Sequence, residues 1–318
     1  MTNFNIRIPG LSLSVVQADG QDVQPVSVDE LQIAVAETFD LIVTPVEDRA
    51  YTLVAEAWDR SGMARGTLAP RLGMAAAVPA LRARPLATMK DMGMGDMAGM
   101  NHGAPAAACP LEHAAMGHCQ PGPSGAAMDH GAMKHDMRDF ANAPGLPRTV
   151  VVQTVSPMPM DRTGEPPQGL ADVGHRVLTY RDLKSVAVNP DARVPSRALT
   201  IHLTGNMERY MWSFDGVKMS DKREPIPFLE NERVRVTLVN DTMMSHPIHL
   251  HGHFFELVTG HGEYSPRKHT VNVAPGGKVS FDVTANAIGD WAFHCHMLYH
   301  MHAGMMRVVS VRPRGDAA

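Results

Sequence analysis

The stretch HCHMLYHMHAGMM, residues 294–306, sets four imidazoles, one thiol and four thioethers in thirteen positions. It follows Trp291, Ala292 and Phe293, an apolar run that reads as a strand. Along a strand successive side chains point to opposite faces. Cys295 therefore projects one way and His294 and His296 the other, so these three cannot share one ion. The fold has to be a sheet that serves a separate site on each face.

Beyond Cys295, His300 follows at five residues and Met305 at ten. That loop length can wrap a thiolate, an imidazole and a weak thioether around one ion. The second imidazole comes from HPIHLHGH, residues 246–253. His249 and His251 share a strand face, whereas His246 lies at odd spacing from both and precedes Pro247. This parity assigns His246 to the Cys295 site and His249 and His251 to the opposite one. Two His, one Cys and an axial Met form the donor set of a blue-copper electron-transfer centre. Zinc has no need of the thioether. Isolated histidines more often serve packing, and His175, His202, His253, His261 and His269 are read that way.

The rest of the chain fits an all-β class. Alternation is visible in LSLSVV, LQIAVA and YTLVAEAW before Pro70. It returns at HRVLTY and strengthens through ALTIHLTG, RVRVTLVN, HPIHLHGHFFELV, KVSFDVTA and MMRVVSVRP. Gly, Pro and Asn at short intervals give the rhythm of a Greek-key sandwich or barrel. The expected organisation is a partial β-domain over 1–73, a Met/His-rich segment over 74–147 and a complete β-domain over 148–318. The opening domain is short against the roughly 100 residues of a two-sheet sandwich.

Composition narrows the chemistry. The chain has 23 Met and 17 His against three Cys, which points to copper handled in an oxidising compartment. With 29 basic and 33 acidic residues, no basic cluster and 5% aromatics, nucleic-acid binding is not expected. No apolar run approaches the roughly 18 residues of a membrane span. The opening MTNFNIRIPG lacks the charged start and apolar stretch of an export signal.

HPIHLHGH and HCHMLYHMHAGM resemble the two C-terminal copper motifs of multicopper oxidases. The flanking FNIRIPGLSLSVVQADGQDVQPV and AYTLVAEAWDRSGMARGTLAPR are similar to the copper-resistance protein A branch. The resemblance implies cupredoxin-like domains and a type 1 copper held by His246, Cys295, His300 and Met305. It implies His249 as a type 2 ligand and His251, His294 and His296 as type 3 ligands. The implied activity is oxidation of Cu(I) or phenolic reductants, with electrons carried from Cys295 to His294 and His296 and O2 reduced to water. The setting implied for the parent protein is the periplasm.

The family's trinuclear cluster uses eight histidines, half of them from an N-terminal domain. Here every His-x-His falls at or after His249, so the chain is expected to be the C-terminal remainder of a longer oxidase, with type 2 and type 3 sites only partly liganded. Met301 and His302 stand where many relatives carry a proton-delivering carboxylate.

The Met-rich segment offers Met89, Met92, Met94, Met97, Met100, Met128, Met133 and Met137 with His102, His130 and His135. It reads as a tether recruiting Cu(I), or as an inert linker. Cys109 and Cys119 read as a disulfide or as further Cu(I) ligands. The alternative to an oxidase is a non-enzymatic protein that sequesters copper in this segment and at the type 1 site.

Overall fold

The computed structural model describes residues 2–94, 136–221 and 223–315. The first unit contains β1 (Phe4–Arg7), β2 (Leu13–Ala18), β3 (Gln21–Val28), β4 (Glu30–Ile33), β5 (Phe39–Ile42), β6 (Tyr51–Ala57) and β7 (Met63–Leu68). They form one sheet in the order β4-β1-β6-β7 and a second in the order β3-β2-β5. Leu13 and Val15 on β2 and Val28 on β3 alternate inward with the period of a half-buried strand. The β2–β3 hairpin turns on Asp19-Gly20, both in the left-handed region with φ of 50° and 69°. Asp-Gly suits such a two-residue turn.

The second unit contains β8 (Met160–Asp161), β9 (Arg197–Asn206), β10 (Met211–Phe214), β11 (Ile226–Leu229), β12 (Arg233–Asn240), β13 (His246–Leu250), β14 (Phe255–Leu257), β15 (Arg267–Lys268), β16 (Thr270–Val273), β17 (Gly277–Thr284), β18 (Gly289–Cys295) and β19 (Met306–Arg312). A short helix, α1 (Leu298–His302), joins the last two strands. A seven-stranded sheet runs β10-β9-β12-β17-β14-β15 with β8 beside β17, and faces a five-stranded sheet β11-β19-β18-β13-β16. The parallel pairs β9–β12 and β11–β19 need crossovers, which makes the connections Greek-key and not a simple meander. Trp212, Phe214, Leu238, Ile248, Phe255, Phe281 and Phe293 fill the space between the sheets.

Three local expectations differ from the structure. HRVLTY forms no strand: Val177 makes only a bridge to Glu30, while Leu178 and Leu183 enter the core of the first unit. Its alternation reflects burial against another unit's core. The described parts of the Met/His-rich segment, 74–94 and 136–147, also make defined contacts where a tether or an inert linker is expected. Arg82 pairs with Glu30 and Glu56, Lys90–Met92 and Phe140–Asn142 form 3-10 turns, and Ala143 and Leu146 pack on Val152 and Val155. Third, the segment after Cys295 is helical at α1 before it returns as β19.

Candidate metal centre

β13 and β18 lie side by side, with Ile248 opposite Cys295 and His249 opposite His294. This register puts Cys295 among the core side chains and His294 on the other face. His246 is buried at the start of β13 and His300 is buried within α1. His246 Nδ1, Cys295 Sγ and His300 Nδ1 converge: 3.1 Å separates the two nitrogens and 3.7 Å separates each from the sulfur. Donors that share an ion at about 2.0–2.3 Å sit this far apart. Met305 is fully buried and bracketed by backbone hydrogen bonds, its amide donating to His300 O and its carbonyl accepting from Cys295 N.

The supporting shell fixes the ring nitrogens. Thr242 Oγ1 lies 2.8 Å from His246 Nε2 and 2.9 Å from Asn240 Oδ1. Its own proton goes to Asn240, so it accepts from His246 Nε2–H and leaves Nδ1 unprotonated toward Cys295. The Asn240 amide in turn donates to the carbonyls of Met244, Val273 and Ala274. Trp212 stacks on His300 with centroids 4.0 Å apart and meets His246 edge-on at 5.1 Å. Gly304, at φ 127°, lets the chain pass Trp212: a Cβ there would lie 2.4 Å from the Trp212 carbonyl oxygen.

Burial sets the protonation states. It pushes the Cys295 thiol up to about 12. It lowers His300 to about 4 and, with the neighbouring His300, holds His246 well below its ordinary value. The imidazoles are thus neutral at physiological pH, with lone pairs available, while the thiolate needs a cation beside it.

On the opposite face His249, His251, His294 and His296 form a second group. His251 Nε2 and His294 Nε2 are 3.1 Å apart, and the His249 ring is 4.8 Å from His251 and 5.7 Å from both His294 and His296. His249 Nδ1 donates to His269 O at 2.7 Å and His294 Nδ1 to Cys295 O at 3.0 Å, which leaves both Nε2 atoms unprotonated, that of His294 facing His251 Nε2. His251 is exposed, and His249 and His296 are half-buried. Burial lowers His249 to about 4, its hydrogen bond to His269 opposing and the nearby histidines reinforcing the shift; burial also lowers His294 and His296.

Most of the histidines read as packing have protein partners. His175 meets Glu30, His202 meets Asp241, and His261 meets the Arg181 carbonyl. His253 bonds the His251 carbonyl and packs on Trp291. His269 Nδ1 meets Thr270 Oγ1 at 2.9 Å, but its ring also lies 5.0 Å from His249 and its carbonyl orients that residue. Sequence reasoning missed Trp212, Thr242, Asn240 and the role of the His269 backbone. Of the Met-rich segment, Met89, Met92, Met94 and Met137 are placed. Met97, Met100, Met128, Met133, His102, His130, His135, Cys109 and Cys119 lie outside the described residues.

Multicopper oxidase family profiles match residues 1–78 and 193–315. The chain is 50% identical over 98% of its length to a copper resistance protein A homolog of Pseudomonas syringae pv. tomato, covering 52% of that protein. It is 49% identical to copper resistance protein A of Escherichia coli, again over 98% of this chain and 54% of the relative. The chain belongs to the multicopper oxidase family. It spans about half the length of these curated relatives. Fet3p, a multicopper oxidase that functions in iron import, superposes over 98% of this chain and 53% of its own at a TM-score of 0.58, with 15% identity. A laccase from Botrytis aclada covers 97% of this chain and 49% of its own at 0.56, with 14% identity. At these identities the likeness is one of fold, and that fold is cupredoxin-like.

Copper is the metal of a multicopper oxidase, and the donors at the buried site suit it. Two neutral imidazole nitrogens and a sulfur, enclosed by Trp212 and the sheet core, are soft to borderline ligands shielded from water.

Proposed function

We propose that the chain carries the electron-accepting copper centre of a copper-resistance oxidase that takes electrons from Cu(I) or small phenols and delivers them to O2. The observation that carries this reading is the placement of Cys295. Its side chain lies in the buried donor triangle, while its neighbours His294 and His296 present imidazoles to the opposite face. The path between the two sites is two short stretches of one backbone.

His246, Cys295, His300 and Met305 are the residues that would hold type 1 copper. When bound there, copper supplies reversible one-electron transfer. The protein's part is to exclude water through the Trp212 stack and to hold His246 Nδ1 inward through Thr242. His249 would serve a type 2 copper, and His251, His294 and His296 type 3 coppers. Four imidazoles are half of the set that the family resemblance implies, so this face is proposed to be completed by histidines from outside these residues. Alone, its cations would lack ligands and repel one another. Among the described residues no helix is long and apolar enough to cross a membrane. A periplasmic setting is proposed for the intact protein, on its similarity to the copper-resistance branch.

The test is anaerobic reduction of the copper-loaded chain by hydroquinone or Cu(I). Bleaching by one electron per chain, with slow recovery on admitting O2, supports the reading. Sustained O2 uptake with water as product from this chain alone contradicts the half-site reading. Failure to bleach contradicts electron entry at Cys295, and would favour a copper-sequestering protein.

A further inference from the structure

His249 is held by its own unit through a peptide group that the first unit grips in turn. Its Nδ1–H donates to the His269 carbonyl oxygen at 2.7 Å, with Thr270 Oγ1 at 3.2 Å. The other end of that same peptide group, the Thr270 N–H, donates to Asp19 Oδ2 at 3.1 Å, and the His269 N–H donates to the same oxygen at 3.0 Å. Asp19 sits in the β2–β3 turn of the first unit, with no side-chain exposure. Its Oδ1 accepts from Thr38 N at 3.0 Å, and Lys268 Nζ, equally buried, lies 3.1 Å from Oδ2 and 3.3 Å from Glu37.

A single peptide unit therefore stands between a buried carboxylate and an imidazole. Metal-binding histidines commonly give their second ring proton to a carboxylate or a carbonyl, which fixes the tautomer and strengthens the metal-facing nitrogen. Here both are used in series. Asp19 grips the N–H of the 269–270 peptide and polarises it, and polarised hydrogen bonds in a chain reinforce one another. The carbonyl then becomes a stronger and better fixed acceptor for His249.

We propose that Asp19 is a positioning residue for His249: acting across the junction between the two units, it sets the tautomer and metal affinity of the opposite-face imidazole through the 269–270 peptide. The proposal rests on the reading of His249 as a metal ligand given above. It makes the metal competence of the second unit depend on the first.

The positive φ of Asp19 makes Gly and Asn the replacements of least backbone strain. In the full chain, Asp19→Gly is expected to give His249 a mixture of tautomers, read in the metal-free protein by long-range nitrogen–proton correlation of labelled imidazoles. Its Cu(II) affinity on the imidazole face, followed by the non-blue paramagnetic resonance signal in chelator competition, is expected to fall by roughly 10- to 100-fold. Asp19→Asn keeps an acceptor oxygen in place and restores the single tautomer and most of the affinity. The blue signal at Cys295 stays unchanged in both, which separates positioning from general damage. If stranding Lys268 prevents Asp19→Gly from folding, Asp19→Gly with Lys268→Met removes the orphaned cation and carries the same readings. An unaltered tautomer, or an unaltered affinity in a chain where His249→Ala does weaken Cu(II), overturns the proposal. If His249→Ala leaves Cu(II) affinity untouched, the ligand reading itself fails, and the tautomer alone then decides whether Asp19 positions the ring.

Discussion

At the scale of single residues, the parity of a strand was enough to sort the histidines. His246 and Cys295 lie inward together, and His249 and His294 lie outward together, because β13 and β18 are regular over these residues. Trp212 and Thr242 were not legible, since neither lies near Cys295 in sequence and nothing in a lone Trp or Thr announces a histidine partner. Thr242 gives the sharpest test. Thr242→Val keeps the shape but leaves His246 Nε2–H buried without an acceptor, at about 1–3 kcal/mol. Copper affinity at the blue centre should fall by roughly 10- to 100-fold in chelator competition. Gly304→Ala should do more damage, because its Cβ would strike the Trp212 carbonyl oxygen and its φ is unfavourable to an L-residue. The expected result is loss of both blue colour and at least about 2 kcal/mol of stability in denaturant unfolding.

At the scale of elements, regular alternation located β9, β12, β13, β14, β17, β18 and β19 of the C-terminal unit but not β8, β10, β11, β15 and β16, and could not show which partner a short segment would take. The residues after β7 illustrate the limit. Arg82 donates from its backbone and side chain to Glu56 and reaches Glu30, two carboxylates with no side-chain exposure that Arg7, Arg60 and His175 also approach. Composition alone read this stretch as linker, because charged pairing across 52 positions leaves no periodic trace. Arg82→Ala removes one of several partners of Glu30 and Glu56, with Arg7 and Arg60 still on Glu56, and should cost about 1–3 kcal/mol. Burial raises the Glu56 pKa, but hydrogen bonds from Arg82 and Arg7 outweigh it, so the folded value lies below the ordinary 4.5. The stabilisation is therefore complete above about pH 4.5 and is lost as pH falls through the lower folded value. Urea midpoints measured from pH 6 down to pH 3 should show the wild type losing its advantage over Arg82→Ala; a pH-independent gap would contradict this.

At the scale of the whole molecule, the two units meet through polar groups that no sequence pattern displays. Lys268 is fully buried between Asp19 and Glu37, and the Tyr180 hydroxyl donates to Glu37 while accepting from Asn272 N. The described residues on either side of 95–135 are held at neighbouring points: Gly93 O accepts from Met158 N, and Met137 O from Val155 N. Replacing residues 95–135 by a short Gly-Ser link should therefore preserve the blue centre and lower only the Cu(I) stoichiometry. Unchanged stoichiometry would identify the segment as an inert linker.

The claim on which the rest depends is that this chain by itself builds a copper site around the Cys295 thiolate. The most direct measurement is the visible spectrum of the copper-loaded chain beside that of Cys295→Ser. Thiolate-to-copper charge transfer should make the first intensely blue and leave the second colourless, with both still folded. A colourless loaded wild type, or a Cys295→Ser protein that remains blue, would contradict the account.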